Sequence, residues 1–66
     1  MRLNFNVNPG IRGISSIMDT FKKQIPGIEM EPFSQVSLII NFDEGHLLTV
    51  IDILNGLALF YTEVKP

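Results

Sequence analysis

The chain has 66 residues and a net charge of −2, with 45% hydrophobic and 18% charged residues, no cysteine and a single histidine, His46. That length allows one domain, residues 1–66, which buries only roughly 60% of the surface its unfolded chain exposes. Disulfides, thiolate zinc sites, cysteine nucleophiles and histidine-rich metal centres are excluded, and five dispersed basic residues do not make a phosphate-binding face.

Residues 2–7, RLNFNV, alternate strictly, with Leu3, Phe5 and Val7 on one side and Arg2, Asn4 and Asn6 on the other. This predicts a half-buried strand. In the following Asn8-Pro9-Gly10, Asn8 suits a helix N-cap and Pro9 the first helical position. Ile11, Ile14, Ile17, Met18, Phe21 and Ile25 then recur at helical spacing up to the Pro26-Gly27 stop, with Lys22 and Lys23 in the last turns. Residues 28–31, IEME, read as a second strand with Ile28 and Met30 inward; Pro32 marks it as an edge strand or its end. Residues 35–42, QVSLIINF, set Val36, Leu38, Ile40 and Phe42 on one face. Asp43-Glu44-Gly45 is a turn with Asp43 as candidate cap. It leads into a helix over residues 46–54 with the apolar arc Leu47, Leu48, Val50, Ile51, Ile53 and Leu54.

After this helix the pattern changes. Asn55-Gly56 is a helix stop, because glycine takes the left-handed conformation cheaply. LALFYTEV, residues 57–64, then has strand-like density of β-branched and aromatic residues and is expected to pair with the first strand. A continuous helix would carry Gly56 in its interior at a cost on the order of 1 kcal/mol. The order strand, helix, strand, strand, helix, strand predicts an α+β, ferredoxin-like βαββαβ domain: a four-stranded antiparallel sheet with two helices on one face. The other face, carrying Asn4, Asn6, Ile39, Asn41, Glu29 and Glu31, is left open.

Each motif that suggests chemistry also has a structural explanation. In VNPGIRGI, Gly10 and Gly13 permit close backbone approach at a helix start, where free N–H groups attract carboxylate or phosphate; capping and packing explain the same residues. His46 and Asp52 lie on one helix side but almost two turns apart, too far for general-base contact. Glu29 and Glu31 share a strand face and protect an edge, and a metal would need further ligands. The serines have no placed base. No catalytic residue, metal ligand or cofactor is therefore assigned. An RNA platform requires aromatic residues on the two central strands, which show Asn4, Asn6, Ser37, Ile39 and Asn41 instead, so nucleic acid is not expected. No apolar run reaches a membrane span and MRLNFNVNPG lacks a signal-peptide core, so no membrane partner is expected and the expected location is cytoplasmic.

The arrangement of strand, NPGI, helix with isoleucines at three-residue steps, and PGIEM as second strand resembles the ACT domain. The family's first turn has an acidic or amide residue, Pro-Gly and an aliphatic residue, matched here by Asn8, Pro9, Gly10 and Ile11; Gly27, Ile28 and Met30 match its second strand. The resemblance implies a small regulatory βαββαβ module, often dimeric, that binds an amino-acid-like effector. Read this way, the chain is a non-catalytic domain binding a small carboxylate ligand at Asn8, Pro9, Gly10, Ile11 and Arg12, across a homodimer. The alternative is a stand-alone interaction module, an inhibitor or adaptor that offers a strand or an apolar patch to a target protein. A designed sequence without biological role is a further alternative, against which the low charge, scattered asparagines and irregular EPFSQ turn argue.

The apolar content of the second helix and last strand exceeds one helix face plus one strand face. A generous core would absorb it; so would an interface. Leu57, Leu59, Phe60 and Tyr61 are the candidate interface residues for a homo-oligomer, through the edge of the last strand or the outward side of the second helix. Burying about 400 Å² of apolar surface contributes on the order of 10 kcal/mol before association costs.

Overall fold

Period-two alternation decides where the strands lie and which of their faces is dry. The computed structural model describes residues 1–65. Strand β1 (Arg2–Asn8) leads through a single 3-10 turn, Gly10–Arg12, into helix α1 (Ile14–Gln24). Strands β2 (Glu29–Ser34) and β3 (Ser37–Asp43) follow, then a second 3-10 turn, Glu44–His46, helix α2 (Leu47–Gly56) and strand β4 (Phe60–Glu63). The sheet order is β2-β3-β1-β4, and every neighbouring pair is antiparallel.

One core holds the layers together. Phe5 and Val7 of β1 and Leu38, Ile40 and Phe42 of β3 meet Ile17 and Phe21 of α1 and Val50 and Leu54 of α2. Both helices thus cover the same sheet face. Phe5 is the aromatic hinge of this core: its ring meets Phe42 edge-on at 5.1 Å and stacks on Tyr61 at 5.3 Å, geometries that aromatic pairs favour. No described helix is long and apolar enough to cross a membrane.

Four local expectations are corrected. Helix α1 begins at Ile14, not at Pro9, because the Asn8 side chain accepts the Gly10 N–H at 2.9 Å and closes a turn of its own. Gly10 and Gly13 both have positive φ, Gly13 is the N-cap, and Ile11 projects fully into solvent. Strand β2 is an edge strand, as Pro32 marks it, but it runs over Glu29–Ser34 instead of 28–31, since the edge position and a bulge between Pro32 and Ser34 permit the proline within it. Val36 lies in the β2–β3 turn, where its N–H donates to the Ser34 hydroxyl, and it is exposed instead of inward-facing.

The fourth correction concerns the end of α2. Helix gives way to strand, and β4 pairs with β1, but over Phe60–Glu63 instead of 57–64. Gly56 is the last helical residue, and Ala58, at φ 55°, takes the left-handed position. The Leu59 N–H donates to the Leu54 carbonyl at 2.9 Å and the Ala58 N–H to that of Asn55 at 3.1 Å. This is a Schellman cap, in which a hydrophobic residue past the cap packs back on the last turn. Here the two ends of that contact are Leu54, fully buried, and Leu59, packed against the core.

Candidate functional site

The first turn and the α2–β4 connection come together because β1 and β4 are neighbours. Register pairs Asn8 with Phe60, so the chain leaving β1 and the chain entering β4 lie side by side. Between them is an open depression of about 640 Å³, lined by Asn8, Pro9, Gly10, Ile11 and Arg12 on one wall and by Leu57, Ala58, Leu59 and Phe60 on the other. Pro9 is fully buried and its carbonyl accepts the Arg12 N–H at 3.3 Å, which fixes the first wall. The Arg12 Nε donates across the depression to the Leu57 carbonyl at 3.2 Å and ties the walls together. Among the described residues no carboxylate pairs with Arg12. Its guanidinium therefore brings a positive charge to a mostly apolar depression.

All five residues singled out in the first turn line this depression, as do Leu57, Leu59 and Phe60 from the last part of the chain. Two groups read separately in the sequence line one depression. Asn8 and Pro9 build the turn, the α1 N-terminus stands outside the lining, and Arg12 is the charged side chain within it. Leu57, Leu59 and Tyr61 pack against the core, and Phe60, 83% exposed, alone of the four stands in solvent. The sequence offered no signal for Ala58 or for the Arg12–Leu57 bridge.

The open sheet face is occupied by its own hydrogen bonds. Asn41 Nδ2 donates to Asn4 Oδ1, Arg2 Nε to Asn41 Oδ1 at 2.6 Å, and Arg2 Nη2 to Glu29 Oε1 at 3.0 Å. The Ser37 hydroxyl donates to Asn6 Oδ1 at 2.7 Å. A shallower depression of about 470 Å³ lies over this network, with Glu29 and Glu31 at its edge. His46 sits in the second 3-10 turn beside Asp43 and Phe42, in a small hollow that Asp52 does not reach. The Asp43 carboxylate accepts the Gly45 N–H at 2.9 Å, which holds its pKa below the ordinary 3.8. No group of three or more His, Asp or Glu side chains among the described residues is placed to hold a metal ion.

Comparison with protein families, with curated proteins and with solved structures found no match for this chain.

Proposed function

We propose that this chain is a non-catalytic binding domain of ferredoxin-like layout that takes a small carboxylate with an apolar body in the Arg12 depression. The order of its elements and the sheet order β2-β3-β1-β4 support the ferredoxin-like reading. One observation carries the ligand class: a guanidinium without a carboxylate partner among the described residues faces apolar walls built from Ile11, Leu57, Leu59 and Phe60. A volume of about 640 Å³ suits a ligand the size of an amino acid or larger. The carboxylate meets Arg12, whose planar fork matches it, and the apolar body meets the leucines and Phe60. The ACT resemblance of the first turn points to the same ligand class and to a regulatory role.

The test is an amide-detected titration with phenylacetate, isovalerate and leucine, with phenylacetamide as the neutral control. The expected shifts fall on residues 10–13 and 57–60. R12Q is expected to weaken carboxylate binding by roughly tenfold, the value of one charge-assisted hydrogen bond, and to leave the amide control unchanged. Absence of binding at millimolar ligand, or shifts confined to other residues, overturns the reading.

A second reading, self-association or capture of a partner strand, is favoured by a different observation. Phe60 is almost wholly exposed on an edge strand that holds neither proline nor lysine, devices that commonly protect such edges.

A further inference from the structure

The hydrogen-bond phase of β4 decides which of its backbone groups remain available. The Val64 N–H donates to the Asn4 carbonyl at 2.8 Å, so residues 60, 62 and 64 direct their backbone groups toward β1. By alternation, Tyr61 and Glu63 direct their N–H and C=O groups to the free edge. The same phase sends the side chains of Phe60, Thr62 and Val64 to the open sheet face, while Tyr61 turns inward against Phe5.

We propose that two copies of this chain join β4 to β4 antiparallel across a twofold axis, with Tyr61 opposite Glu63 of the second copy. In this register all four outward groups on each strand are used: Tyr61 and Glu63 exchange two hydrogen bonds on each side of the axis. The side chains at the closest approach are those of the non-hydrogen-bonded pairs. Thr62 faces its own copy, and Phe60, 83% exposed, faces Val64, 40% exposed, twice. Threonine pairs and aromatic–β-branched pairs are among the favourable cross-strand combinations.

The neighbouring registers lose something specific. Centring the axis on Tyr61 sets Glu63 opposite Leu59, whose N–H is already spent on the Leu54 carbonyl. Centring it on Glu63 brings two carboxylates face to face, which is destabilising. The opposite sheet edge, β2, carries Pro32 and a bulge, both of which discourage strand addition. A four-residue strand makes a small interface, so the dimer is weak and concentration-dependent.

This register rests on the self-association proposed above, and the test separates the two. Sedimentation equilibrium from about 10 µM to about 1 mM is expected to show a mass rising from 7.4 kDa toward twice that value. F60K and V64E are each expected to raise the dimer Kd by roughly tenfold, through two symmetric pairs at once. The F60K/V64E double variant is expected to regain most of the lost affinity, because opposite charges then meet at both ends. Backbone N-methylation of Tyr61, made by chemical synthesis, is expected to abolish the dimer without removing a bond of the internal ladder. That second readout holds even if a charged variant folds poorly. A wild-type chain that stays at 7.4 kDa overturns both proposals. A dimer that tolerates the Tyr61 methyl group, or a double variant no tighter than its parents, overturns the register and leaves self-association standing.

Discussion

Exchanging the residues at positions 56 and 58 is expected to stabilise the fold. Ala58 holds a left-handed backbone at φ 55°, while Gly56, two residues earlier, is helical. A side chain in the left-handed region costs about 1–2 kcal/mol, and glycine in a helix costs roughly 0.5–1 kcal/mol relative to alanine. The double variant G56A/A58G keeps composition constant, so the entropy of the unfolded chain largely cancels. What remains is relief of the Ala58 strain, about 1–2 kcal/mol. A Cβ at position 56 meets no atom within 4 Å, so nothing opposes the gain. For a domain of this size 1 kcal/mol shifts Tm by about 4–8 °C, so the exchange is expected to raise Tm by about 4–16 °C. Circular dichroism against temperature and urea measures it, and an unchanged urea m-value shows that the gain lies in stability alone. Each single variant is expected to supply part of the effect. An exchange that leaves Tm unmoved or lowers it refutes the cap as described, and with it the path that aims Leu59 at Leu54.

Gly10→Val is expected to destabilise by about 1–2 kcal/mol, since Gly10 sits at φ 61°, so in urea melts it reports on the fold before it reports on ligand binding. Phe21→Ala, at a side chain with no exposure, is expected to cost about 3–5 kcal/mol and to leave a chain of this size largely unfolded by circular dichroism. Leu48, 79% exposed on α2, is expected to accept lysine with no change in Tm or sedimentation; a fall in dimer mass would move the interface from the β4 edge to α2. Asp43 has its pKa lowered, chiefly by the Gly45 N–H, so its stabilising contribution is present above the unfolded carboxylate value and is lost as pH falls through the folded one. The difference in urea midpoint between wild type and D43N is therefore expected near neutral pH and to vanish in strong acid.

The strands were legible because one sheet face is dry and the other wet. Phe5, Val7, Leu38, Ile40 and Phe42 are all buried, while Asn4, Asn6, Ile39 and Asn41 between them are only partly so. Helix ends were less legible, because side chains compete locally for the same backbone groups. Asn8 has the chemistry of a cap, yet its amide satisfies Gly10 and the helix starts six residues later, behind Gly13. Gly56 has the chemistry of a stop, yet the left-handed turn falls at Ala58, where it brings Leu59 back onto Leu54. The two walls of the depression could each be suspected from their own residues. That they face one another follows from the pairing of Asn8 with Phe60, and register between distant strands leaves no mark on local composition.

The placement of β1 between β3 and β4 also constrains how the molecule comes to be made. On a ribosome β1 emerges ahead of both neighbours. Its first partner, β3, starts at residue 37, and its second, β4, at residue 60. Until β3 is made, the only helical core partners of Phe5 and Val7 are those of α1, Ile17 and Phe21. Pairing over such separations carries a loop-closure cost that is met before any contact repays it, and slows folding. A nascent chain halted after α2 has a helix pair and an incomplete sheet with one side of β1 unzipped, and unpaired strand edges of that kind are prone to aggregate.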